Sequence, residues 1–75
     1  MLTNGHLLAA ADSAGFDLLV TLDRGFLHQH NMSGRRIAVA VLIIETQSIP
    51  GFLAAIKKLS AQLESLPAGT ITSIQ

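Results

Sequence analysis

The stretch DLLVTLDRGFLHQHNMSGRRIAVAVLII, residues 17–44, decides the fold because two apolar runs of strand character flank a polar loop. The runs are LLVTL, residues 18–22, and IAVAVLII, residues 37–44, and both are apolar on each of their alternating faces. Strands of this kind are typical of parallel sheets that carry helices on both faces. The sequence therefore predicts two buried parallel strands, with room for a short helical turn around residues 26–29 in the loop.

A helix is expected before the first strand, over residues 3–14. Thr3 or Asn4 can cap its beginning, and Gly15 is placed to end it. Its apolar stripe is predicted to consist of Leu7, Leu8, Ala11 and Ala14.

A second helix is expected over residues 49–66, followed by a short and more polar edge strand over residues 70–74. The apolar stripe at helical spacing consists of Ile49, Phe52, Leu53, Ile56, Leu59, Leu63 and Leu66. Five of these residues are predicted to pack on the sheet, namely Phe52, Leu53, Ile56, Leu59 and Leu63. Strands that alternate with helices imply right-handed crossovers. The fold class is therefore predicted to be α/β, a small open parallel sheet with flanking helices.

The composition indicates a small domain with more apolar surface than it can easily hide. The chain has 75 residues, of which 49% are hydrophobic and 13% are charged. A domain of this size buries only about 60% of its unfolded surface, so part of the apolar material is expected to meet a partner. The longest apolar run, residues 37–44, is too short for the roughly 20 residues that span a bilayer. With no cysteine and no recognisable secretory signal, a cytoplasmic location without membrane contact is the expectation.

Basic residues are few but clustered around the central loop. The formal net charge is zero, so no bulk electrostatic attraction to nucleic acid is expected. Arg24, Arg35 and Arg36 bracket the loop and could contact RNA phosphates or an acidic segment of a protein partner. The alternative is that Arg35 and Arg36 simply keep the entrance of the buried strand solvated.

Histidines in the same loop offer a second set of contacts. His28 and His30 form the pattern H-x-H, and His6 adds a third imidazole. This spacing could ligate zinc on a strand, where alternate residues share a face. In a loop the geometry is open, and the alternative is that His28 and His30 are solvated and contact phosphate or a partner.

One acid, Asp23, directly follows the first predicted strand. Ligand sites in open parallel sheets lie at the carboxyl ends of the strands. A carboxylate in that place can bind a hard divalent cation or orient a water molecule. The alternative is that Asp23 only caps the turn that follows.

The segment NGHLLAAADSAGFDLLVTLDRGFLHQHNMSGRRIAVAVLII resembles the C-terminal half of the PIN-like proteins associated with toxin–antitoxin systems. The similarity extends over residues 3–74, and VTLDRGF and GRRIAVAVL are its most specific parts. It implies a single PIN-like domain over residues 1–75 with a partial, Rossmann-like three-layer fold. For active members it also implies a ribonuclease that uses magnesium or manganese, with an RNA substrate and an antitoxin protein as partners.

The resemblance assigns roles to a few positions. Asp23 matches the acid of the family pattern T-x-D, and Thr21 matches its threonine. Asn4 stands where many members carry a helix acid, so Asp23 and Asn4 are the implied metal ligands and Asp23 the implied catalytic residue. Gly25 stands where a second acid is common. The family's opening strand, which ends in its first metal-binding aspartate, has no counterpart in this sequence.

Two functions follow from this comparison with the family. The first is a shortened PIN-like metal-dependent ribonuclease, with weak or no activity on its own because most of the expected acids are missing. The second is a non-catalytic module that retains the second half of the fold for oligomerisation or interaction. In either case residues 18–22 would form an unpaired apolar edge, which implies a homo-oligomer.

Overall fold

The computed structural model describes residues 3–28, 32, 34–44 and 46–75 of the chain. These residues form a mixed α/β fold with elements of both kinds in alternation. In chain order the elements are helix α1 (Asn4–Ser13), strand β1 (Leu18–Thr21), a 3₁₀ segment (Arg24–His28), strand β2 (Ala38–Leu42), helix α2 (Ile49–Gln62), a 3₁₀ turn (Leu63–Ser65) and strand β3 (Ile71–Ile74).

The strands of the described residues form one open parallel sheet in the order β1-β2-β3. Leu18 of β1 pairs with Ala38 of β2, and Val39 of β2 pairs with Ile71 of β3. Every residue of the central strand β2 is buried, whereas the two outer strands are only partly covered. The predicted α/β class and the parallel pairing are confirmed. Each strand is shorter than predicted by one to three residues. Strand β1 ends at Thr21, whose hydroxyl already accepts a hydrogen bond from the amide of Asp23 at the start of the turn.

Helix α1 begins and ends through the signals that the sequence contains. The hydroxyl of Thr3 accepts a hydrogen bond from the amide of His6 at 3.1 Å, which caps the first turn. Gly15 follows the helix with a φ of +87°, a left-handed conformation that glycine adopts at little cost. The predicted stripe is only partly right: Leu8 is completely buried, but Leu7 is 41% exposed. Leu7 faces outward because it lies beside the open edge of the sheet.

The two faces of β2 serve two separate apolar clusters, so the fold has three layers. Odd-numbered side chains of β2, with Ile37, pack against Leu8 of α1 and Phe26 of the 3₁₀ segment. Even-numbered side chains pack against Ala55 and Leu59 of α2. This division explains why the IAVAVLII stretch is apolar on both alternating faces.

Helix α2 packs on the sheet through a narrower face than the sequence predicts. Ser48 caps the helix by accepting a hydrogen bond from the amide of Gly51 at 3.1 Å. Ala55 and Leu59 are buried. The prediction was wrong for three of the residues expected to pack on the sheet, since Phe52, Leu53 and Leu63 are between 42% and 59% exposed. Ile49, at the start of the stripe, is 77% exposed. The helix covers mainly β2 and β3, and no described strand beyond β1 offers these side chains a surface.

The segments at the ends of α2 and β1 also differ from expectation. Helix α2 ends at Gln62 and tightens into the 3₁₀ turn, so the predicted helix over residues 49–66 is too long by four residues. The 3₁₀ segment begins at Arg24, two residues before the predicted turn.

Within the part of the chain that the structure describes, no helix is long and apolar enough to cross a membrane.

Candidate functional site

Asp23 lies at the carboxyl end of β1, where it ends the strand and begins the 3₁₀ segment. Its amide donates to the hydroxyl of Thr21 at 3.0 Å, and its carboxylate Oδ1 accepts from the amide of Gly25 at 2.8 Å. Its carbonyl oxygen accepts from the amide of Phe26 at 3.2 Å. These bonds turn the chain back over the sheet and place Phe26 in the core. Capping of the turn, the alternative reading of this acid, is therefore what the hydrogen bonds show.

The first residue of α1, Asn4, lies next to the same carboxylate. A Cβ atom added to Gly25 would lie 2.9 Å from Oδ1 of Asp23 and 3.0 Å from Nδ2 of Asn4. The two side chains therefore meet around Gly25, and the absence of a side chain there leaves room for both. A carboxylate and the carbonyl of an amide are groups that contribute oxygens to magnesium. The Asn4 atom nearest to Gly25 is, however, the nitrogen Nδ2 and not the amide oxygen.

The described residues alone do not complete a magnesium site. Magnesium requires near-octahedral oxygen ligation and commonly retains several waters beside one or two carboxylates. Among the described residues no group of three or more histidines, cysteines or acids lies together in a way that could hold a metal ion. Asp23 and Asn4 thus supply at most a partial oxygen ligand set, and one oxygen of Asp23 is already occupied by the amide of Gly25.

The other predicted contact residues do not lie together. The two arginines before β2 lie at the amino end of the parallel sheet, opposite the carboxyl end that holds Asp23. Arg24 and His28 are the exposed ends of the 3₁₀ segment, and His6 is exposed on the first turn of α1. His30 lies outside the described residues, so the H-x-H pattern has no described geometry. Arg36 is exposed, but its neighbour Arg35 is tied to the protein.

Arg35 is held by Asp12, a residue whose role the sequence did not reveal. Oδ1 of Asp12 accepts hydrogen bonds from the amides of Arg36 at 3.1 Å and Ile37 at 3.0 Å. Its Oδ2 lies 3.9 Å from a guanidinium nitrogen of Arg35. Asp12 thereby fastens the entrance of β2 to the end of α1. An available signal was that an acid in the last turn of a helix opposes the helix dipole and needs compensating contacts.

The outer edge of β1 is an open strand edge within the described fold. The amide of Ala38 donates to the carbonyl of Asp17 at 2.9 Å, so Asp17 faces β2. Because backbone groups alternate in direction along a strand, Leu18 and Val20 turn their N–H and C=O groups away from β2. No other described strand lies beside β1 on that side. Within the described residues, the N–H and C=O groups of Leu18 and Val20 therefore have no strand partner.

Apolar side chains flank this edge on both faces of the sheet. On the α1 side, a groove of about 420 Å³ runs along β1, with Leu7 and Phe16 (64% exposed) among its lining residues. On the α2 side, a groove of about 440 Å³ lies beyond the carboxyl end of β1, with Leu22 and Phe52 among its lining residues. Val20 itself is 41% exposed. We name the outer edge of β1 together with these flanking side chains the β1 edge surface.

The opposite edge of the sheet, on β3, has a different character. The amides of Val39 and Ile43 donate to the carbonyls of Thr70 and Ile74, so the outward-facing residues of β3 are Ile71 and Ser73. Ile71 and Ser73 are half-buried, and the strand alternates isoleucine with hydroxyl side chains. The two edges thus expose backbone groups alike. The β1 edge surface adds apolar side chains that are between 41% and 64% exposed, whereas the 3₁₀ segment in contact with β3 carries one such side chain, the 41% exposed Leu27.

Comparison with known proteins adds no family to these observations. No family model matches the chain, and neither the curated proteins nor the solved structures include a significant match. The PIN-like resemblance therefore rests on the residues and motifs named above. The geometry itself establishes a small α/β fold with an open three-stranded parallel sheet in the described residues.

Proposed function

We propose that the chain is an interaction module that binds a β-strand of a protein partner along the β1 edge surface. The observation that supports this function is the combination of outward-facing peptide groups at Leu18 and Val20 with exposed apolar side chains on both faces beside them. In strand addition of this kind, main-chain hydrogen bonds provide affinity and flanking pockets provide specificity.

Burial of the apolar side chains of the β1 edge surface would add a favourable free energy of binding that the main-chain hydrogen bonds alone do not supply. Four side chains of the surface, Leu7, Phe16, Val20 and Leu22, are between 41% and 64% exposed. Complete burial of such a side chain contributes about 1.5–3 kcal/mol, so covering the exposed half of four of them contributes about 3–6 kcal/mol before the cost of association. An exposed strand edge with this much apolar surface is a template for pairing.

A pair of proline variants tests this function. Val20→Pro removes an outward N–H from β1 and leaves the ladder to β2 intact, because Val20 does not bond to β2. Ser73→Pro is the matched control, since it removes an outward N–H from the opposite edge. The probe is a labelled peptide of residues 16–22 with added lysines, titrated by fluorescence anisotropy alongside sedimentation of the protein itself.

We expect Val20→Pro to weaken peptide binding or self-association at least tenfold, and Ser73→Pro to leave both unchanged. Circular dichroism checks that both variants retain the fold. The proposal fails if the two variants behave alike in both measurements, or if the wild-type protein neither binds the peptide nor self-associates.

A second function, the PIN-like metal-dependent ribonuclease, is favoured by one observation. Asn4 and Asp23 lie together at the carboxyl end of β1, where the resemblance assigns metal ligands. Asp23 would contribute a carboxylate oxygen to magnesium or manganese, and Arg24 and His28 are exposed nearby for phosphate contact. When bound, the ion would supply an activated water for cleavage of RNA. Further oxygens from beyond this pair would be needed, and an antitoxin protein would be the natural regulator.

Metal titration distinguishes the ribonuclease from the interaction module. We expect manganese binding by the chain to be weak and its RNA cleavage to be near background. Asn4→Asp should tighten manganese binding by adding a second carboxylate, and Asp23→Asn should reverse that gain. Asp17→Asn, which removes an exposed acid at the other end of β1, is the control. Cleavage of RNA that Asp23→Asn leaves unchanged would remove Asp23 from the site.

A further inference from the structure

The accessible surface of the chain is larger than that of a self-sufficient monomer. The chain exposes 5201 Å². A folded monomer of 7.9 kDa is expected to expose about 4,400 Å² from the scaling of surface with mass. The excess of about 800 Å² equals one partner's share of a standard-sized protein interface, which is about 800 Å². The surface in excess of the scaling is thus comparable in area to what one partner buries in a standard-sized interface.

From this area and from the pattern of the β1 edge surface, we infer that the strand it binds is β1 of a second copy of this chain. This inference rests on the proposed function and names its partner. A strand that fills this edge must be apolar on both faces, because exposed apolar side chains flank the edge on both sides of the sheet. Strand β1 itself, Leu18–Thr21, meets that requirement. Because the formal net charge is zero, two copies of the chain do not repel each other through their overall charge.

Symmetry fixes the direction of the pairing. Two copies of one edge related by a two-fold axis run antiparallel and use the same patch on both sides. Directly opposed residues in an antiparallel ladder both face their partner or both face away from it. Each outward-facing residue, Leu18 or Val20, must therefore lie opposite an outward-facing residue of the second copy, either the same residue or the other one. Pairing Leu18 with Val20 of the second copy makes two hydrogen-bonded pairs within β1, and the axis then passes between the two Leu19 residues.

Charge selects this register over its neighbours. In the chosen register Asp17 opposes Thr21 of the second copy, and the threonine hydroxyl, which accepts from the amide of Asp23, has its hydrogen available for the carboxylate. A shift by two residues in one direction places Asp17 opposite Leu19, a partly buried apolar residue. The shift in the other direction places Asp17 opposite Asp23, and a shift of four residues places it opposite itself. Like charges directly opposed destabilise a sheet.

The result is a continuous six-stranded sheet in which the central strands are the two copies of β1. Both copies of α1 lie on one face and both copies of α2 on the other, because the axis is perpendicular to the sheet. Leu18 and Val20 then pack across the axis on the α2 face. The exposed groove beside α1 is closed by the symmetric groove of the second copy.

Cysteine cross-linking tests both the partner and the register, since the chain has no cysteine of its own. Residues 17 and 21 oppose each other without mutual hydrogen bonds, where Cα atoms lie about 4.5 Å apart, a separation that a disulfide can bridge. A mixture of Asp17→Cys and Thr21→Cys chains should form the mixed disulfide under mild oxidation, identified by mass. Each variant alone should not, because its two cysteines lie four residues, about 13 Å, out of register. Leu19→Cys is an independent variant that should cross-link to its own copy.

The outcomes separate the inference from the function on which it rests. If the wild-type chain sediments as a monomer at high micromolar concentration, the inference that the bound strand comes from a second copy is wrong. If Val20→Pro then still abolishes binding of the strand peptide, the proposed function survives with another partner. A dimer in which the single variants cross-link as readily as the mixture overturns the register. Indistinguishable behaviour of Val20→Pro and Ser73→Pro overturns both the function and the inference.

Discussion

Two leucines of α2 provide a direct test of how this helix packs. Spacing alone places Leu53 and Leu59 on one apolar stripe, but in the structure Leu59 is 8% exposed and Leu53 is 59% exposed. Leu59 packs against Ala40, Leu42 and Ile74 in the cluster beneath α2. Truncation of the two leucines to alanine should therefore have very different effects on the free energy of unfolding.

The expected magnitudes follow from burial. Leu59→Ala removes a buried side chain and leaves space that the surrounding chain only partly fills, so it should cost about 3 kcal/mol. Leu53→Ala removes a side chain that is already mostly in water and leaves no cavity, so it should cost less than about 1 kcal/mol. The change in helix propensity is the same for both, so it cancels in the comparison.

Urea denaturation followed by circular dichroism measures both values at one protein concentration. With a slope near 1 kcal/mol per molar urea for a chain of this size, Leu59→Ala should lower the midpoint by about 3 M and Leu53→Ala by less than about 1 M. Equal losses for the two variants, or a larger loss for Leu53→Ala, would show that α2 packs by the wider face that the sequence suggests.

Two further predictions concern the loops that position the strands. Asp12→Ala should lower the free energy of unfolding by about 2–3 kcal/mol because two backbone amides lose a charged acceptor. Asp12→Asn retains an acceptor oxygen, so it should lower the free energy of unfolding by less than half as much. Equal losses in thermal or urea unfolding would contradict this role. Gly69→Ala should cost more than about 2 kcal/mol, since φ is +72° and the new Cβ would lie 2.6 Å from the carbonyl oxygen of Arg35. Gly15 has a φ of +87°, and no atom lies within 4 Å of an added Cβ, so Gly15→Ala should show only the conformational cost of about 1–2 kcal/mol. A loss of stability in Gly15→Ala as large as that in Gly69→Ala would be inconsistent with crowding at Gly69.

The sequence predicts the sheet well because its strongest patterns are local. The apolar alternation of residues 37–44 requires cover on both faces, and the structure places β2 in the centre with a cluster on each side. The caps at Thr3 and Ser48 and the terminating Gly15 are likewise local signals that the structure retains. The element order and parallel pairing follow from these signals together.

The sequence predicts the packing of α2 poorly because burial depends on what lies opposite. Phe52 and Leu53 have the same spacing in either case, but the width of the sheet decides whether a surface meets them. Three strands in the described part of the chain leave Phe52 exposed beside β1. A helical stripe wider than the sheet that it covers leaves exposed apolar surface, which is consistent with the interaction module proposed above.

The candidate site shows the same division between local and distant contacts. That Asp23 ends a strand is legible in LLVTLD, and its contacts with Thr21 and Gly25 are local. The approach of Asn4 to Asp23 requires the packing of α1 against the sheet, which only the family resemblance suggested. The hydrogen bonds that Asp12 accepts from the amides of Arg36 and Ile37 join residues more than twenty positions apart in the sequence. No pattern in the sequence specifies that contact.

Amide hydrogen exchange at the two edges of the sheet tests the central claim most directly. The outward N–H groups of Leu18 and Val20 on β1 and of Ser73 on β3 all lack a strand partner within the described fold. As the protein concentration rises from micromolar to millimolar, the account predicts that exchange at Leu18 and Val20 slows at least about tenfold, which corresponds to about 1.4 kcal/mol of protection. Exchange at Ser73 should not change. Equal exchange rates at Leu18 and Val20 across that range, with the strand peptide absent and with it present, would contradict binding at the β1 edge surface.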